Sequence, residues 1–207
     1  MFDMSTDVDG IADFLMCLSG LEISNSQLFK LLSEKIVLSS IKSKFVRISE
    51  DNIKHSKILE DISLQIGNSK IQTKECKIRL SLICKNIGNL IKQIKEKKEV
   101  TIDDLTEYLK ILEGSGGASQ YLLVQAETFL LMTDEINRLY GIDSKKYNKK
   151  LKIISRDIEG HIRLLREVEN IIETEQTKNK KKNPSVKYQT PDAWFVPTHS
   201  QREDHII

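Results

Sequence analysis

The chain has 207 residues, of which 39% are hydrophobic and 30% charged, and its formal net charge at pH 7 is +2. This length is enough for one domain with a sizeable core, and the composition is typical of a soluble globular protein. The nearly balanced charge argues against nucleic acid as a partner. The most apolar stretch is too short and too polar to span a membrane.

The distribution of helix-breaking residues predicts long helices. All three prolines follow residue 183, and only nine glycines occur in the whole chain. A fold made of strands would need more frequent turn residues. We therefore predict an all-α fold in which residues 1–176 form one helical bundle.

The cysteines and the first residues of the chain predict a cytoplasmic protein. The three cysteines, Cys17, Cys76 and Cys84, include no Cys-x-x-Cys pair. Their odd number favours reduced, structural thiols. The acidic start of the chain also lacks the basic residues of a secretory signal.

Residues 11–66 are predicted to form the first helical hairpin. Apolar residues recur in steps of three and four over 11–36 and over 41–66, which is the pattern of one helix face. Both apolar stripes are polar at the middle, where Glu22 and Asn25 interrupt the first and Asn52 and His55 interrupt the second. Gly67-Asn68-Ser69 is predicted to end the second helix.

Residues 67–117 are predicted to connect the two halves of the bundle and to add two helices. The first covers 69–97, and the second covers 102–113 with Thr101 as its N-terminal cap. Gly114-Ser115-Gly116-Gly117 is the clearest flexible break in the chain.

Residues 118–173 are predicted to form the second hairpin, with helices at 118–140 and 145–173. Glu127 interrupts the apolar face of the first helix, and His161 interrupts that of the second. Residues 177–207 differ in composition, because they combine a lysine run with prolines and aromatic residues. We expect this tail to be extended, with Trp194 and Phe195 suited to docking on the chain's own bundle, on a second subunit or on a different protein partner.

The two hairpins are an internal repeat, since the apolar stripes of 41–66 and 147–172 match position by position. Two similar hairpins pack most simply as a four-helix bundle. The matched residues are Ile41 with Tyr147, Phe45 with Leu151, Ile48 with Ile154, Asn52 with Ile158, His55 with His161, Leu59 with Leu165, Ile62 with Val168 and Ile66 with Ile172.

Four polar residues at the middle of the predicted helices are candidate metal ligands: Glu22, His55, Glu127 and His161. The middles of antiparallel helices meet at one level of a bundle. A buried carboxylate must be protonated, hydrogen-bonded or bound to a cation. Two carboxylates and two imidazoles suit iron, manganese or zinc. Asp51 and Asp157 are supplementary candidates, because each precedes a histidine by four residues, although a solvated helix face is the preferred interpretation for both.

At these positions the chain resembles the ferritin-like superfamily, which includes rubrerythrins and ferritins. The resemblance covers residues 11–66 and 118–173, and the stretch from Leu21 to Ile36 is similar to a rubrerythrin first helix. It implies a four-helix bundle in which Glu22 and Glu127 match the single-Glu positions and His55 and His161 match the two His positions. Iron is the metal that this resemblance implies, and we also expect a homo-oligomer.

The chain departs from the superfamily pattern at two positions. Asn52 and Ile158 stand where the family has the metal-bridging Glu of each Glu-x-x-His motif. Two functions therefore remain open. The first is a metal protein, with iron or another divalent ion and with oxidative chemistry as one outcome. The alternative is a metal-free structural or interaction module that uses its C-terminal tail.

Overall fold

The computed structural model describes residues 5–67, 75–76, 80–114, 118–131, 137, 143 and 145–182. Within these ranges every regular element is a helix, and the one β-type pairing is an isolated bridge between Ile36 and Val100. The predicted all-α class is therefore confirmed. None of the helices so described is both long and apolar enough to cross a membrane.

Six helices are seen in the described part of the chain. In chain order they are α1 (Ser5–Lys35), α2 (Ser39–Ile66), α3 (Ser81–Glu96), α4 (Ile102–Gly114), α5 (Ala118–Leu131) and α6 (Lys145–Lys182). The bounds of α1, α2 and α4 agree with the predicted ones within a few residues, apart from an earlier start of α1. Parts of the predicted helices 69–97 and 118–140, and the tail residues Trp194 and Phe195, lie outside the described residues.

The helices pack as two hairpins side by side. The helix α1 packs on α2, and α5 packs on α6, while α2 contacts α6 and α1 contacts α5. The helix α3 lies against α1, and α4 contacts both α3 and α6. The matched stripes of α2 and α6 are buried along nearly their whole length, with only Ile66 and Leu165 partly exposed. The stripes predicted from periodicity are thus core faces.

The contact between α1 and α2 is a seam of small residues. Small side chains let two helix backbones approach closely, and their hydroxyl groups then bond across the gap. The pairs recur every seven residues along both helices: Ser63 Oγ donates to the Ala12 carbonyl oxygen at 2.6 Å, Ser19 Oγ and Ser56 Oγ are 2.9 Å apart, and Ser26 Oγ and Ser49 Oγ are 3.1 Å apart.

The helix α6 is longer than predicted. It continues through residues 177–182, which we expected to be part of an extended tail. In its last turns Thr177 Oγ1 donates to the Glu173 carbonyl oxygen at 2.8 Å, and Gln176 Nε2 lies 3.4 Å from Asp103 Oδ1 of α4. Since no proline occurs before residue 184 and α4 provides a neighbour, the helix does not end where the apolar stripe ends.

The prediction that all cysteines are reduced is wrong. Cys17 of α1 and Cys76 form a disulfide, with their Cα atoms 5.0 Å apart, while Cys84 is not in a disulfide. The two bonded residues are 59 positions apart in the chain. An odd cysteine count leaves one thiol over but does not exclude a pair, and only the packing of α1 brings these two together.

Candidate functional site

The two histidines matched by the repeat meet inside the bundle. His55 of α2 is 0% exposed and His161 of α6 is 1% exposed. Their ring centroids are 5.6 Å apart, and the ring planes are inclined by 32°. Because the two residues occupy the same position in the two hairpins, the packing of α2 on α6 places them at the same level of the core. The two histidines of the predicted site therefore lie next to each other.

Each histidine faces an aspartate from the other helix. His55 Nε2 is 3.5 Å from Asp157 Oδ2, and His161 Nε2 is 3.4 Å from Asp51 Oδ2. An aspartate and a histidine four residues apart share a helix face. When the two faces pack together, the aspartate of each lies against the histidine of the other.

The preferred interpretation of these aspartates as solvated holds only in part, because both are partly buried against a histidine while both also line a cleft that is open to solvent. The side chain of Asp51 is 14% exposed and that of Asp157 is 25% exposed. Periodicity places both residues at the edge of the apolar stripe. The edge of a stripe becomes interior wherever two helices cross, and the sequence of one helix does not show where that is.

Glu22 of α1 joins the cluster from the opposite side of His55. Its Oε2 atom is 3.4 Å from His55 Nδ1, and its side chain is 2% exposed. Burial raises the pKa of this carboxyl above its usual range, although the neighbouring His55 opposes the shift. The predicted placement of Glu22 inside the bundle is confirmed.

Glu127 does not join the cluster, and its predicted placement in the interior is wrong. The buried side of α5 is centred on Ala126, with Leu123 and Leu130 partly buried beside it, and Glu127 is exposed. The orientation of α5 differs from the predicted one by a small rotation about the helix axis, and the observed orientation avoids the cost of burying the Glu127 carboxylate. The two halves of the site consequently differ, since within the described residues His55 has a glutamate neighbour and His161 does not.

Several buried polar atoms of this cluster lack hydrogen bonds among the described residues. Each such atom costs about 1 to 3 kcal/mol when it is left unsatisfied. The distances from His55 to Glu22 and to Asp157, 3.4 and 3.5 Å, exceed the usual length of a hydrogen bond between nitrogen and oxygen. His161 Nε2 makes a long hydrogen bond of 3.4 Å with Asp51 Oδ2. The unsatisfied atoms are Glu22 Oε2, Asn52 Nδ2, His55 Nδ1, His55 Nε2 and His161 Nδ1.

The pKa shifts of His161 and Asp51 favour a neutral imidazole beside an ionised carboxylate. Burial, with the nearby His55 as a second cause, lowers the pKa of His161 to about 4, although Asp51 acts against it. For Asp51, burial raises the pKa, but hydrogen bonds with Lys54 and His161 outweigh it and lower the pKa overall. Neutral imidazole and ionised carboxylate are the forms in which these side chains bind metal ions.

The donors fit a transition metal ion in kind and in spacing. Imidazole with carboxylate is a common ligand set for zinc, iron and manganese. Two ligands at about 2.1 Å from a tetrahedral ion lie about 3.4 Å from each other, which is close to the distances measured here. The present contacts are pairwise, however, and no three His, Cys, Asp or Glu side chains in the described ranges already form a group that could hold a metal ion.

A cleft of about 170 Å³ opens beside the cluster. It is lined by Arg47, Asp51, Arg156, Asp157, Gly160, His161 and Arg163. Sequence reasoning missed the arginines, because exposed arginines on a helix usually indicate nothing more than a solvated face. The only available signal was their position within one turn of the two Asp-x-x-x-His pairs.

Comparison of the chain with protein-family models, with curated proteins and with solved structures finds no match.

Proposed function

We propose that this protein binds a divalent transition metal ion in the interior of its helical bundle. His55 and His161 provide imidazole ligands, and Asp51 and Asp157 provide carboxylates from the same two helices. Glu22 lies at the other ring nitrogen of His55, Nδ1, where it orients the imidazole. The observation that carries this proposal is a group of buried imidazole and carboxylate atoms that are close to one another but not hydrogen-bonded. An ion among them would satisfy atoms that are otherwise costly to bury.

Iron is the metal that we propose on the strength of the resemblance to the ferritin-like superfamily. Asn52 and Ile158 replace the bridging glutamates of that pattern, but the preceding residue in each helix, Asp51 and Asp157, places a carboxylate beside the opposite histidine. The aspartates thus compensate for the missing glutamates. An iron ion held there would supply Lewis-acid and one-electron redox chemistry.

The chain itself would provide a site without bulk water, carboxylates that attract a cation, and a route by which the ion enters. The buried walls exclude water from His55 and Glu22, and a low-dielectric surrounding strengthens the attraction between a cation and carboxylates. The cleft reaches Asp51, Asp157 and His161 from outside, so that an ion or a small ligand can enter on that side.

Metal titration of the chelator-treated protein tests this proposal. We expect Zn²⁺, Co²⁺ and anaerobic Fe²⁺ each to bind, and bound Co²⁺ to give visible absorption bands of a nitrogen and oxygen site. His161→Ala should abolish the bands, and Asp157→Asn should weaken binding about 10-fold or more. Asp61→Asn is the matched control, because Asp61 is an exposed residue of α2 that pairs with Lys150. The proposal would be refuted if none of the three ions bound, or if His161→Ala bound them as tightly as the unaltered chain does.

The second candidate is a metal-free interaction module. Its support is that each imidazole already faces an aspartate, so the four side chains could hold α2 and α6 in register without an ion. In this case, the assembly of a homo-oligomer or the binding of a protein partner would depend on the C-terminal tail. Truncation after Lys182 should then change the number of chains per particle, determined from the molar mass measured by light scattering, whereas a metal protein without tail-mediated assembly would keep the same number of chains.

A further inference from the structure

The cleft beside the histidine and aspartate cluster carries three arginines on two helices. Arg47 belongs to α2, while Arg156 and Arg163 are seven residues apart on α6 and therefore lie about 10 Å apart along one side of that helix. The two acids of the cleft, Asp51 and Asp157, are the histidine partners described above. Positive side chains thus outnumber negative ones at the mouth of the cleft.

Arg47 and Arg156 form only weak ion pairs with these two acids. Arg47 Nε is 4.0 Å from Asp51 Oδ2, and Arg156 Nε is 3.6 Å from Asp157 Oδ1. Both distances are too long for hydrogen bonds, so the contacts are loose ion pairs. Asp51 instead has a closer cation in Lys54, at 2.8 Å. The side chains of Arg47 and Arg156 are 70% and 72% exposed, so their guanidinium groups can turn toward a ligand in the cleft.

Gly160 provides the space between the arginines. A glycine within a helix is unfavourable compared with alanine, and the matched position of the first hairpin is Lys54. Among the described residues, a Cβ atom at Gly160 would meet only Arg163 Nη2, at 3.9 Å, which is an ordinary contact. Helix packing therefore does not require a glycine at this position. The effect of Gly160 is to leave the floor of the cleft open beside His161.

We propose that this cleft binds a phosphate-type oxyanion, with Arg47, Arg156 and Arg163 as the recognising groups. Guanidinium groups match the geometry of phosphate oxygens and bind them with paired, charge-assisted hydrogen bonds. The cleft volume of about 170 Å³ is large enough for a phosphoryl group. The oxyanion is either free phosphate or the phosphoryl end of a larger ligand that extends into solvent. The site goes beyond the proposed metal function and does not depend on it.

Isothermal titration of the full, chelator-treated chain with inorganic phosphate and with a phosphomonoester, phosphoserine, tests the proposal. We expect saturable binding at one site per chain. Tighter binding of phosphoserine would identify a phosphorylated ligand, and tighter binding of inorganic phosphate would identify the free ion. Arg156→Ala and Arg163→Ala should each weaken binding about 10-fold or more. Because the protein is metal-free, this result is independent of the metal titration.

Two further variants separate the cleft from general surface charge. Gly160→Glu places a carboxylate among the arginines and should abolish binding, while circular dichroism and the melting temperature show that the helices remain intact. Arg166→Ala, which removes an exposed arginine of α6 outside the cleft, should bind normally. Absence of saturable binding of both probes, or an equal loss in Arg166→Ala and Arg156→Ala, would overturn the proposal.

Discussion

At the centre of the bundle, the aspartate of each of two helices pairs with the histidine of the other helix. Asp51 lies against His161, and Asp157 lies against His55, so that neither histidine uses the aspartate of its own helix. This arrangement ties α2 and α6 together through polar contacts as well as through apolar packing. It also places groups with shifted pKa values where they influence stability.

In the metal-free protein, we expect His161 to make stability fall as the pH is lowered. Its folded-state pKa of about 4 lies below the ordinary value of 6.5, so the unfolded chain binds more protons between these values. The free energy of unfolding should therefore fall by up to about 3 kcal/mol from pH 6.5 to pH 4. Urea denaturation with a chelator present measures this, and His161→Gln should flatten the slope in that window.

Glu22 should have the opposite effect, because it should make the free energy of unfolding fall as the pH rises above the usual pKa of a glutamate. Burial raises its folded-state pKa above 4.5, so the folded chain binds the proton more strongly and stability is lost as the pH rises through the folded value. Glu22→Gln should remove this loss and make the metal-free protein more stable at pH 7 than the unaltered chain. A Glu22→Gln variant that is less stable at pH 7 and equally stable at pH 4 would contradict the buried, proton-binding state of this carboxyl.

At the scale of elements, the seam between α1 and α2 depends on small side chains. We expect Ser56→Leu to lower the free energy of unfolding by about 1 to 3 kcal/mol, because a larger side chain forces the helices apart and leaves Ser19 without its hydroxyl partner. Ser43→Leu introduces the same side chain at an exposed position of α2. It should change stability by less than about 0.5 kcal/mol. Equal effects of the two variants in chemical denaturation would show that the seam is not closely packed.

The start of α4 is held by a reciprocal capping pair. The Asp104 backbone N–H donates to Thr101 Oγ1, and the Thr101 backbone N–H donates to Asp104 Oδ2, both at 3.1 Å. Thr101→Ala removes the side-chain acceptor, and we expect a loss of about 1 kcal/mol. Thr101→Ser keeps the hydroxyl and should keep most of the stability. Thermal unfolding of the two variants gives the comparison, and identical melting temperatures would argue against the cap.

At the scale of the whole molecule, the disulfide joins α1 to the connection before α3. A cross-link between residues 59 positions apart restricts the unfolded chain, and by chain-entropy estimates it contributes about 4 kcal/mol. We expect Cys17→Ala with Cys76→Ala to lower the free energy of unfolding by about 2 to 4 kcal/mol. The control is Cys84→Ala, which leaves the disulfide in place. Alkylation of the unreduced, denatured protein should modify one cysteine, and modification of all three would rule out the disulfide.

Much of the helical layout and part of the centre follow from the sequence alone. The scarcity of proline and glycine, the spacing of apolar residues and the repeat predicted the helices and the buried faces of α2 and α6. They also predicted that Glu22, His55 and His161 are interior, because a polar residue in the middle of an apolar stripe is buried when the stripe is buried. These are local properties, since they depend on which residues share one side of one helix.

Tertiary structure alone decided which side chains meet. The orientation of α5 about its axis leaves Glu127 exposed, the crossing of α2 and α6 partly buries Asp51 and Asp157 against the opposite histidines, and the packing of α1 pairs Cys17 with Cys76. Each outcome depends on the rotation and separation of whole helices. A rotation of a few tens of degrees moves a residue at the edge of a stripe from solvent to core, and helical periodicity does not specify the angle to that accuracy.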